Sequence, residues 1–453
     1  MGNYIRTVWA SFSDIFNFKN DDAKGRSIQL SSHLLTTFYN IFVVGIFQTG
    51  FLSMYGMSIT DTGILTFIPY LGNLFSIFSS RILERIQKRK WILISAKIIY
   101  YALYIVATTL MPQFVHDPRE RLVCFAAILF VAVSFYALFA PGFTVWFYSY
   151  YPKENDRRTN FLVFLQMFAS ILSSVFLLLS GLLTDMLEGS VYQNQLILGF
   201  RYFAFLLVLV DVFIQSRAKE CPYPKVESAK VRDIFTLPFK YKKFMLCMLF
   251  MFFWNYIGNL NNGLWSYHLL NHMEFSYTVI NAMSVMYTVL LIFLSGPWKK
   301  MIRRYSWIKT FGIACLLWVP TEAFYFCMTP DRAYMYVPLS VAQNILSIGL
   351  NFSYANVLYM NLPEKNSTAH IAFNTLGCNV CAFLGMITGT WLSSISGDST
   401  IPVLGMDIYS VQFTCLARGI LMTILGVILV TKWKSFTRQE DIDEVESLKI
   451  KNK

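Results

Sequence analysis

Side-chain amides recur at helical spacing in two long apolar runs of the chain. Asn255, Asn259 and Asn262 lie at i, i+4 and i+7, which places three amides on one face of a helix. Asn344 and Asn351 repeat this spacing in a later run, with a serine between them. An amide that faces lipid leaves donors and acceptors unsatisfied, at a cost of roughly 1 to several kcal/mol. These amides therefore face either a neighbouring helix or water, so they form hydrogen bonds between helices or line a polar cavity.

Other polar and aromatic side chains extend this candidate binding set. Amides pair with hydroxyl groups, and aromatic faces stack on sugar-like rings, so the set suits a neutral or zwitterionic polar solute. A polyanion would need Arg or Lys. A large amphiphile is the competing cargo, because 17% aromatic residues and 19 Met can line an adaptable pocket. Gly258 and Gly263 can loosen the first amide helix, although ordinary close packing also explains them. The candidate residues are Asn40, Gln48, Tyr136, Trp146, Asn255, Asn259, Asn262, Gln343, Asn344 and Asn351.

Four charged residues lie inside long apolar runs at matched depths. Lys97 and Asp211 are each about six residues from one end of their runs, and Glu322 and Arg418 lie at similar depths near the other end. Placing a charged side chain at such depth in a membrane costs free energy, so charged residues there usually have a function. The matched depths predict two ion pairs, Lys97–Asp211 and Glu322–Arg418, that neutralise each other structurally. A proton-coupling role for Glu322 or Asp211 is the alternative.

A few ionisable residues are predicted near the outer ends of the apolar runs. Arg201 is expected to be solvated there. His268 and His272 lie at i and i+4, with Glu274 close by. Two imidazoles and one loose carboxylate are too few for a zinc site, so no metal site is predicted. Interfacial histidines are the favoured interpretation, and a pH gate is the alternative.

The elements that carry these residues must span a membrane. The chain has 453 residues, 55% of them hydrophobic and 14% charged, with a mean hydropathy of +0.48. Its apolar residues form runs of roughly 20 or more, the length that crosses a hydrocarbon layer about 30 Å thick. The predicted fold class is therefore an all-α membrane protein with twelve helices. These are placed at 31–55, 60–80, 91–111, 122–150, 161–184, 196–216, 244–268, 276–297, 307–328, 334–361, 371–395 and 410–431.

Basic residues concentrate on one side of the predicted helices. With both termini on that side, it holds 32 of the 38 Lys and Arg residues, whereas the opposite side holds 3 and the spans hold 3. This asymmetry marks the basic side as cytoplasmic and accounts for the net charge of +12, so no nucleic-acid partner is predicted. The sequence predicts a monomeric multi-pass protein of the plasma (inner) membrane, embedded in the lipid bilayer with cytoplasmic N- and C-termini.

Two loops in the first half of the chain have counterparts in the second half. The basic loop at 80–92 matches 296–308 at an offset of 216, and the Pro and Asn at 152 and 155 match those at 363 and 366 at an offset of 211. Two pairs of matching loops at similar offsets indicate an internal duplication into two six-helix bundles. The predicted organisation is a cytoplasmic amphipathic segment (1–28), an N-terminal bundle (29–216), a cytoplasmic linker (217–243), a C-terminal bundle (244–432) and a cytoplasmic tail (433–453).

This architecture and the first basic loop resemble the major facilitator superfamily. The loop motif of that family has an Asp-Arg pair followed by basic residues. Here Glu84-Arg85 stands for the pair, and Lys88 and Arg89 begin the basic end. The resemblance covers roughly residues 30–432. It implies that the first, fourth, seventh and tenth helices line a central cavity, and that Glu84, Arg85, Lys88 and Arg89 form a cytoplasmic gate. The competing interpretation is that the loop only enforces topology.

The loop at 151–159 is similar to that of sodium-coupled sugar symporters of the glycoside–pentoside–hexuronide type. Those symporters place acidic residues for the cation on their first, second and fourth helices, where this chain has Asp61 alone, at the entrance of the second. The substrate class and the coupling ion, H⁺ or Na⁺, therefore stay open, and no other cofactor is predicted.

The predicted function is secondary active transport of a small organic solute by alternating access. Neither a nucleotide-binding glycine loop nor a nucleophile–base set appears in the sequence, so an enzyme is not predicted. Within transport, uptake of a sugar-like solute competes with efflux of amphiphilic drugs or lipids. A non-transporting membrane sensor or scaffold, the remote alternative, would need an added signalling domain.

Overall fold

The computed structural model describes most of the chain. The described residues are 21–83, 86–150, 155–220, 235–361, 363, 367–403 and 405–437. Glu84 and Arg85 lie outside them, and so do most of the predicted N-terminal segment 1–28 and most of the C-terminal tail 433–453.

The described helices follow the predicted segments in chain order and confirm the predicted helical membrane fold. In the described residues, eight helical stretches are long and apolar enough to cross a membrane, and the order is consistent with twelve spans. The helices of the first half are α1 (Asp21–Val43), α2 (Ile46–Met54), α3 (Ile59–Asn73), α4 (Ser79–Leu83), α5 (Lys90–Tyr101), α6 (Thr108–Leu110), α7 (Pro118–Ala137), α8 (Ala140–Tyr148), α9 (Asn155–Asp185) and α10 (Val191–Gln215). Those of the second half are α11 (Lys242–Gly258), α12 (Leu264–Tyr267), α13 (Tyr277–Tyr305), α14 (Trp307–Phe326), α15 (Tyr336–Met360), α16 (Ser367–Ser393), α17 (Phe413–Thr431) and α18 (Trp433–Phe436).

Short π and 3₁₀ turns extend several of these helices. A π segment at Ala102–Ala107 joins α5 to α6, and another at His268–His272 continues α12. A 3₁₀ turn at Leu74–Phe78 joins α3 to α4. Such irregular turns inside helices often mark functional positions.

The described residues form two compact units. The first unit contains the described residues up to 56 and those from 71 to 220. The second unit contains residues 57–70 and the described residues from 235 onward. Most of α3 is therefore grouped with the second unit, although it belongs to the first half of the sequence. The predicted bundle boundaries, 29–216 and 244–432, stay predictions.

Glycines with positive φ interrupt one membrane segment in each half of the chain. α1 and α2 are separated at Gly45, which has a φ of +66°, and α11 and α12 are separated at Gly263, which has a φ of +76°. A Cβ atom at Gly263 would lie 2.5 Å from Thr66 Oγ1. Both the backbone conformation and the close approach therefore require glycine at this position. The two breaks lie 218 residues apart (263 minus 45), close to the offset of the duplication.

In the second unit, α16 packs closely on α11 and on the turn that follows it. A Cβ atom on Gly385 would overlap the carbonyl oxygen of Tyr256, and one on Gly389 would overlap that of Leu260. Small residues at i and i+4 allow two backbones to approach in this way, as they do in many membrane helix pairs. This contact fixes the stretch of α11 that carries the first amide stripe.

A short β-hairpin, which the sequence did not predict, lies between α16 and α17. Its strands β1 (Thr400–Val403) and β2 (Met406–Tyr409) are antiparallel, with Thr400 opposite Tyr409. Gly405 in the turn has a φ of +77°. The hairpin places Tyr409 against the end of the helical segment that contains His268 and His272.

Candidate functional site

Three amides at the end of α11 and in the turn after it form a hydrogen-bonded row with two tyrosines of the second unit. Asn255 Nδ2 donates to Tyr354 Oη at 2.6 Å. The Tyr70 hydroxyl donates to Asn259 Oδ1 at 3.2 Å. Asn262 Nδ2 lies 3.2 Å from the same Oδ1 and 3.4 Å from Tyr70 Oη. These five side chains, which we call the amide row, present neutral donors and acceptors along one side of the helix break.

Exposure changes along the amide row. Asn255 also donates to the Met251 carbonyl, and its partner Tyr354 lies on α15, so this amide links two helices. Asn262 lies in the turn after α11 and is exposed. Its Nδ2 already donates to two acceptors, so the side chain offers a ligand the acceptor Oδ1. Hydrogen bonding between helices and exposure thus belong to different members of one row.

The polar residues of α15 point to two different neighbours. Asn344 Nδ2 donates to the Met283 carbonyl at 2.7 Å, and Asn351 Nδ2 donates to Tyr287 Oη at 3.0 Å, so both contact α13. Asn351 is exposed, like Asn262. Gln343 instead lies beside a buried charge pair of α14 and α17, described below.

In the first unit, the four predicted residues do not form one cluster. Asn40 is half-buried on α1. Gln48 on α2 lines a small cavity beside α10. The Tyr136 ring stacks on that of Tyr100, with the ring centroids 4.4 Å apart. Trp146 is 1% exposed, and its Nε1 donates to the Lys219 carbonyl at 3.1 Å, a buried contact that anchors the chain after α10.

The structure brings Lys97 and Asp211 together inside the first unit. Lys97 Nζ lies 2.6 Å from Asp211 Oδ2, and both side chains are buried. Gln215 donates to Asp211 Oδ1 at 3.0 Å, and the hydroxyls of Tyr39 and Thr36 lie 3.4 and 3.5 Å from Oδ2. Both carboxylate oxygens of Asp211 therefore have polar partners.

Glu322 and Arg418 also meet, inside the second unit. Arg418 Nη1 lies 3.2 Å from Glu322 Oε1, which also accepts a hydrogen bond from Trp318 Nε1 at 2.7 Å. Gln343 Nε2 donates to Thr321 Oγ1 at 3.0 Å and lies 3.4 Å from the same Oε1. Glu322 Oε2 has no hydrogen-bond partner among the described residues. This pair is less completely satisfied than Lys97–Asp211.

The described part of the predicted gate loop contacts the chain that follows α10. Glu220 accepts hydrogen bonds from the backbone N–H groups of Arg89 and Lys90 at the start of α5. Lys90 Nζ donates to the Ala218 carbonyl at 2.8 Å. Lys88 is exposed. The gate assignment of Glu84, Arg85, Lys88 and Arg89 stays a prediction.

The two histidines of the second unit contact each other and a carboxylate of the loop before the hairpin. His268 Nδ1 lies 3.0 Å from His272 Nδ1, and His272 Nε2 lies 3.1 Å from Asp398 Oδ1. The His272 ring stacks on Tyr409, with the centroids 3.9 Å apart. Burial lowers the pKa of His272, and Asp398 opposes this shift. Across the described ranges, no group of three metal-ligating side chains is found.

Arg201 is the residue whose environment differs most from its prediction. It is 2% exposed, so it is not solvated at the outer face. α10 begins at Val191 rather than at residue 196, and this places Arg201 ten residues inside the helix. The other residues that the sequence did not single out are Tyr70, Tyr287 and Tyr354, whose roles depend on contacts between distant helices.

Comparisons with known proteins agree with this fold. A family model of the Major Facilitator Superfamily matches residues 30–384. A variant of the nucleoside transporter NupG has a TM-score of 0.63 and 12% identity, over 91% of this chain and 99% of that chain. A D-xylose–proton symporter has a TM-score of 0.59 and 9% identity, over 90% and 96% of the two chains. A bacterial homologue of the human lysosomal transporter Spinster has a TM-score of 0.61 and 13% identity, over 93% of this chain and 98% of that chain.

These structural relatives are too distant in sequence to show more than the fold. A search of curated proteins found no match. The family match extends over most of the chain and confirms the resemblance to this superfamily. The chain therefore belongs to the Major Facilitator Superfamily and is a multi-pass membrane transporter, not an enzyme.

Proposed function

We propose that the protein moves a small neutral or zwitterionic polar solute, such as a sugar-like molecule, by alternating access. The amide row is the observation that carries this proposal. Its five members carry no formal charge and form two hydrogen-bonded groups, Asn255 with Tyr354 and Asn259 with Tyr70 and Asn262. Asn259 Nδ2 connects the two groups by donating to the backbone carbonyl of Asn255. Amide and phenol groups can both donate and accept, which matches the hydroxyl groups of a sugar-like solute.

The locations of the charged residues support a neutral solute. Lys97, Asp211, Glu322 and Arg418 engage each other in buried pairs rather than joining the amide row. A site for a polyanion would instead present Arg or Lys to the solute. The similar structures of a nucleoside transporter and a D-xylose–proton symporter are consistent with a polar cargo on this fold.

Alternating access requires helices that bend at defined positions. The breaks at Gly45 and Gly263 supply one such position in each half of the chain. Broken helices in transporters commonly lie at the substrate site, where the freed backbone groups line a cavity. The break at Gly263 directly follows Asn262, the exposed end of the amide row. We infer that movement at this break changes the access of solute to the row.

The membrane location and the orientation of the protein are proposed from its sequence. The charge asymmetry supports a plasma (inner) membrane location with both termini in the cytoplasm. We propose a monomer that works as a symporter coupled to H⁺ or Na⁺. The incompletely paired Glu322 is the favoured residue for a proton, because Glu322 Oε2 has no partner in the described part of the chain.

A binding screen tests the proposed solute class. The full-length protein, purified in detergent, is heated with sugars, nucleosides, peptides and amphiphiles, with and without Na⁺ and across pH. We expect a saturable rise in melting temperature for a hydroxylated polar solute. Asn262→Ala should weaken that response, whereas the exposed amide variant Asn194→Ala at the start of α10 should preserve it. A response confined to amphiphiles would instead support efflux of drugs or lipids.

A further inference from the structure

Arg201 in the first unit is a buried cation whose guanidinium is only partly satisfied. Its Nε donates to Thr109 Oγ1 and its Nη2 to Thr108 Oγ1, both at 2.7 Å. Nη1 is buried and has no hydrogen-bond partner among the residues that the structure describes. Within the same residues, no carboxylate forms an ion pair with this side chain. A buried charge without a counterion is unfavourable, so we expect a negatively charged partner at this site.

The depth of Arg201 makes this unpaired charge significant. Ten residues separate it from the start of α10 at Val191, which corresponds to about 15 Å along the helix axis. It also lies within the candidate membrane span Tyr192–Gln215. Charged residues at such depth usually pair with one another or mark a functional site. Asp211 on the same helix is already paired with Lys97 and is therefore not its counterion.

Arg201 is one of the residues that line a small cavity. Gln48, Tyr104 and Thr108 supply the polar part of its wall, and Phe51 and Phe125 are among its apolar residues. The cavity is partly enclosed and has room for about one water-sized molecule. Its polar wall and its position beside Arg201 make it suitable for a small ion rather than an apolar ligand.

The surroundings hold the guanidinium in one orientation. Arg201 Cζ lies 4.0 Å from the centroid of the Phe51 ring, a cation–π contact that covers the guanidinium. Phe51 is itself 1% exposed and packs edge-to-face on Phe125, with the centroids 6.0 Å apart. The two threonine hydroxyls fix Nε and Nη2. Nη1 is the donor that remains for a ligand.

We propose that this cavity binds a single-atom monovalent anion such as chloride, with Arg201 as its counterion. The anion supplies the charge that the described protein groups do not, and it accepts a hydrogen bond from Nη1. Gln48 completes the polar side of the site. A larger anion such as gluconate does not fit a cavity of this size. This site is separate from the amide row and does not depend on the identity of the transported solute.

Anion-dependent thermal stability tests this proposal on the purified full-length protein. The protein is transferred into sodium gluconate, and chloride or bromide then replaces gluconate at constant ionic strength. We expect a saturable rise in melting temperature with each small anion, and no such rise when sulfate replaces gluconate. An equal response to sulfate, or no saturable response to any small anion, would overturn the proposal.

Two variants assign the response to the cavity. Arg201→Gln should abolish the anion-dependent rise while melting in gluconate at or above the temperature of the unmodified protein, because the unpaired charge is gone. The matched control is Arg121→Gln, since Arg121 binds the carbonyls of Tyr55 and Val115 and should keep the full anion response after substitution. An undiminished response in Arg201→Gln would contradict the proposal.

A third variant covers the case in which Arg201→Gln does not fold. Gln48→Leu keeps Arg201 and removes one polar group from the cavity wall. We expect the apparent dissociation constant for chloride to rise at least threefold. An unchanged constant would show that the anion binds elsewhere.

Discussion

Replacing Asp211 by asparagine removes the charge that faces Lys97 and preserves the size of the side chain. Lys97 Nζ lies 2.6 Å from Asp211 Oδ2, and the exposed fractions of the two side chains are 6% and 0%. Solvent and salt therefore screen this pair weakly. Breaking a buried pair by removing one partner costs about 3–5 kcal/mol, because an uncompensated charge remains inside the protein. We expect Asp211→Asn to lower the free energy of unfolding by about this amount.

The other corners of the double-mutant cycle follow from the same contacts. Lys97→Met leaves a carboxylate that still contacts Gln215, Tyr39 and Thr36. The decrease in unfolding free energy caused by Lys97→Met should therefore lie at the lower end of the range, at about 3 kcal/mol. The double variant Lys97→Met/Asp211→Asn has no buried charge at this position. It should be more stable than the less stable single variant.

Unfolding of the purified protein by a denaturing detergent measures this cycle. The predicted coupling energy between the two substitutions is at least about 2 kcal/mol. The control is Arg217→Gln, because Arg217 is an exposed cation near the end of α10 and its substitution should change stability by less than about 0.5 kcal/mol. Additive losses in the double variant would refute the ion-pair interpretation, whatever the size of the single effects.

Three further predictions concern the second unit. Arg418→Gln should destabilise the protein more than Glu322→Gln, because it leaves a carboxylate that is 0% exposed with one oxygen lacking a described partner; comparative unfolding measures the order. Gly263→Ala should cost about 1–3 kcal/mol in unfolding free energy, because a Cβ atom meets a positive φ and a nearby threonine hydroxyl. Because burial lowers the pKa of His272, this histidine binds more protons in the unfolded chain than in the folded chain near pH 6. The contribution of His272 to folding stability is therefore present above a pH of about 6.5 and is lost as the pH falls. Thermal unfolding between pH 7.5 and 5.5 should show a weaker pH dependence in His272→Gln than in the unmodified protein.

Helical spacing predicted that the three amides would lie close together, but α11 ends at Gly258, so only Asn255 lies in the helix. The row persists beyond the end of the helix because Asn262 in the turn donates back to Asn259. The partner tyrosines could not be predicted in this way. Tyr70 and Asn259 are 189 residues apart in the chain, so their contact depends on helix packing that no local pattern encodes.

Depth along a helix was sufficient to match the partners of both buried ion pairs. The same reasoning placed Arg201 incorrectly because it depends on where the helix begins. The polar stretch at the start of α10 is helical from Val191, five residues before the predicted start. That difference moves Arg201 about 7.5 Å further from the helix end. A charged residue in an apolar run was the available signal, and its burial depended on the helix boundary.

The surroundings of the histidines show a similar limit. Glu274 was expected near His272 because it is close in sequence, whereas the structure brings Asp398 and Tyr409 to the imidazole. Asp398 and Tyr409 lie before and at the end of a hairpin whose strands have four residues each. Strands this short give too weak a pattern to be recognised beside long membrane helices.

The most direct test of the proposed function is solute exchange across a membrane. The full-length protein is reconstituted into liposomes loaded with the polar solute that raises its melting temperature most, and uptake of the labelled solute is measured. We predict saturable exchange, with the half-saturating concentration raised about 3- to 10-fold in Asn259→Leu and in Asn262→Leu, since each loses one neutral hydrogen bond of about 1 kcal/mol. Asn194→Ala should exchange like the unmodified protein. Unaltered exchange in both amide-row variants would contradict the assignment of the solute site to this row.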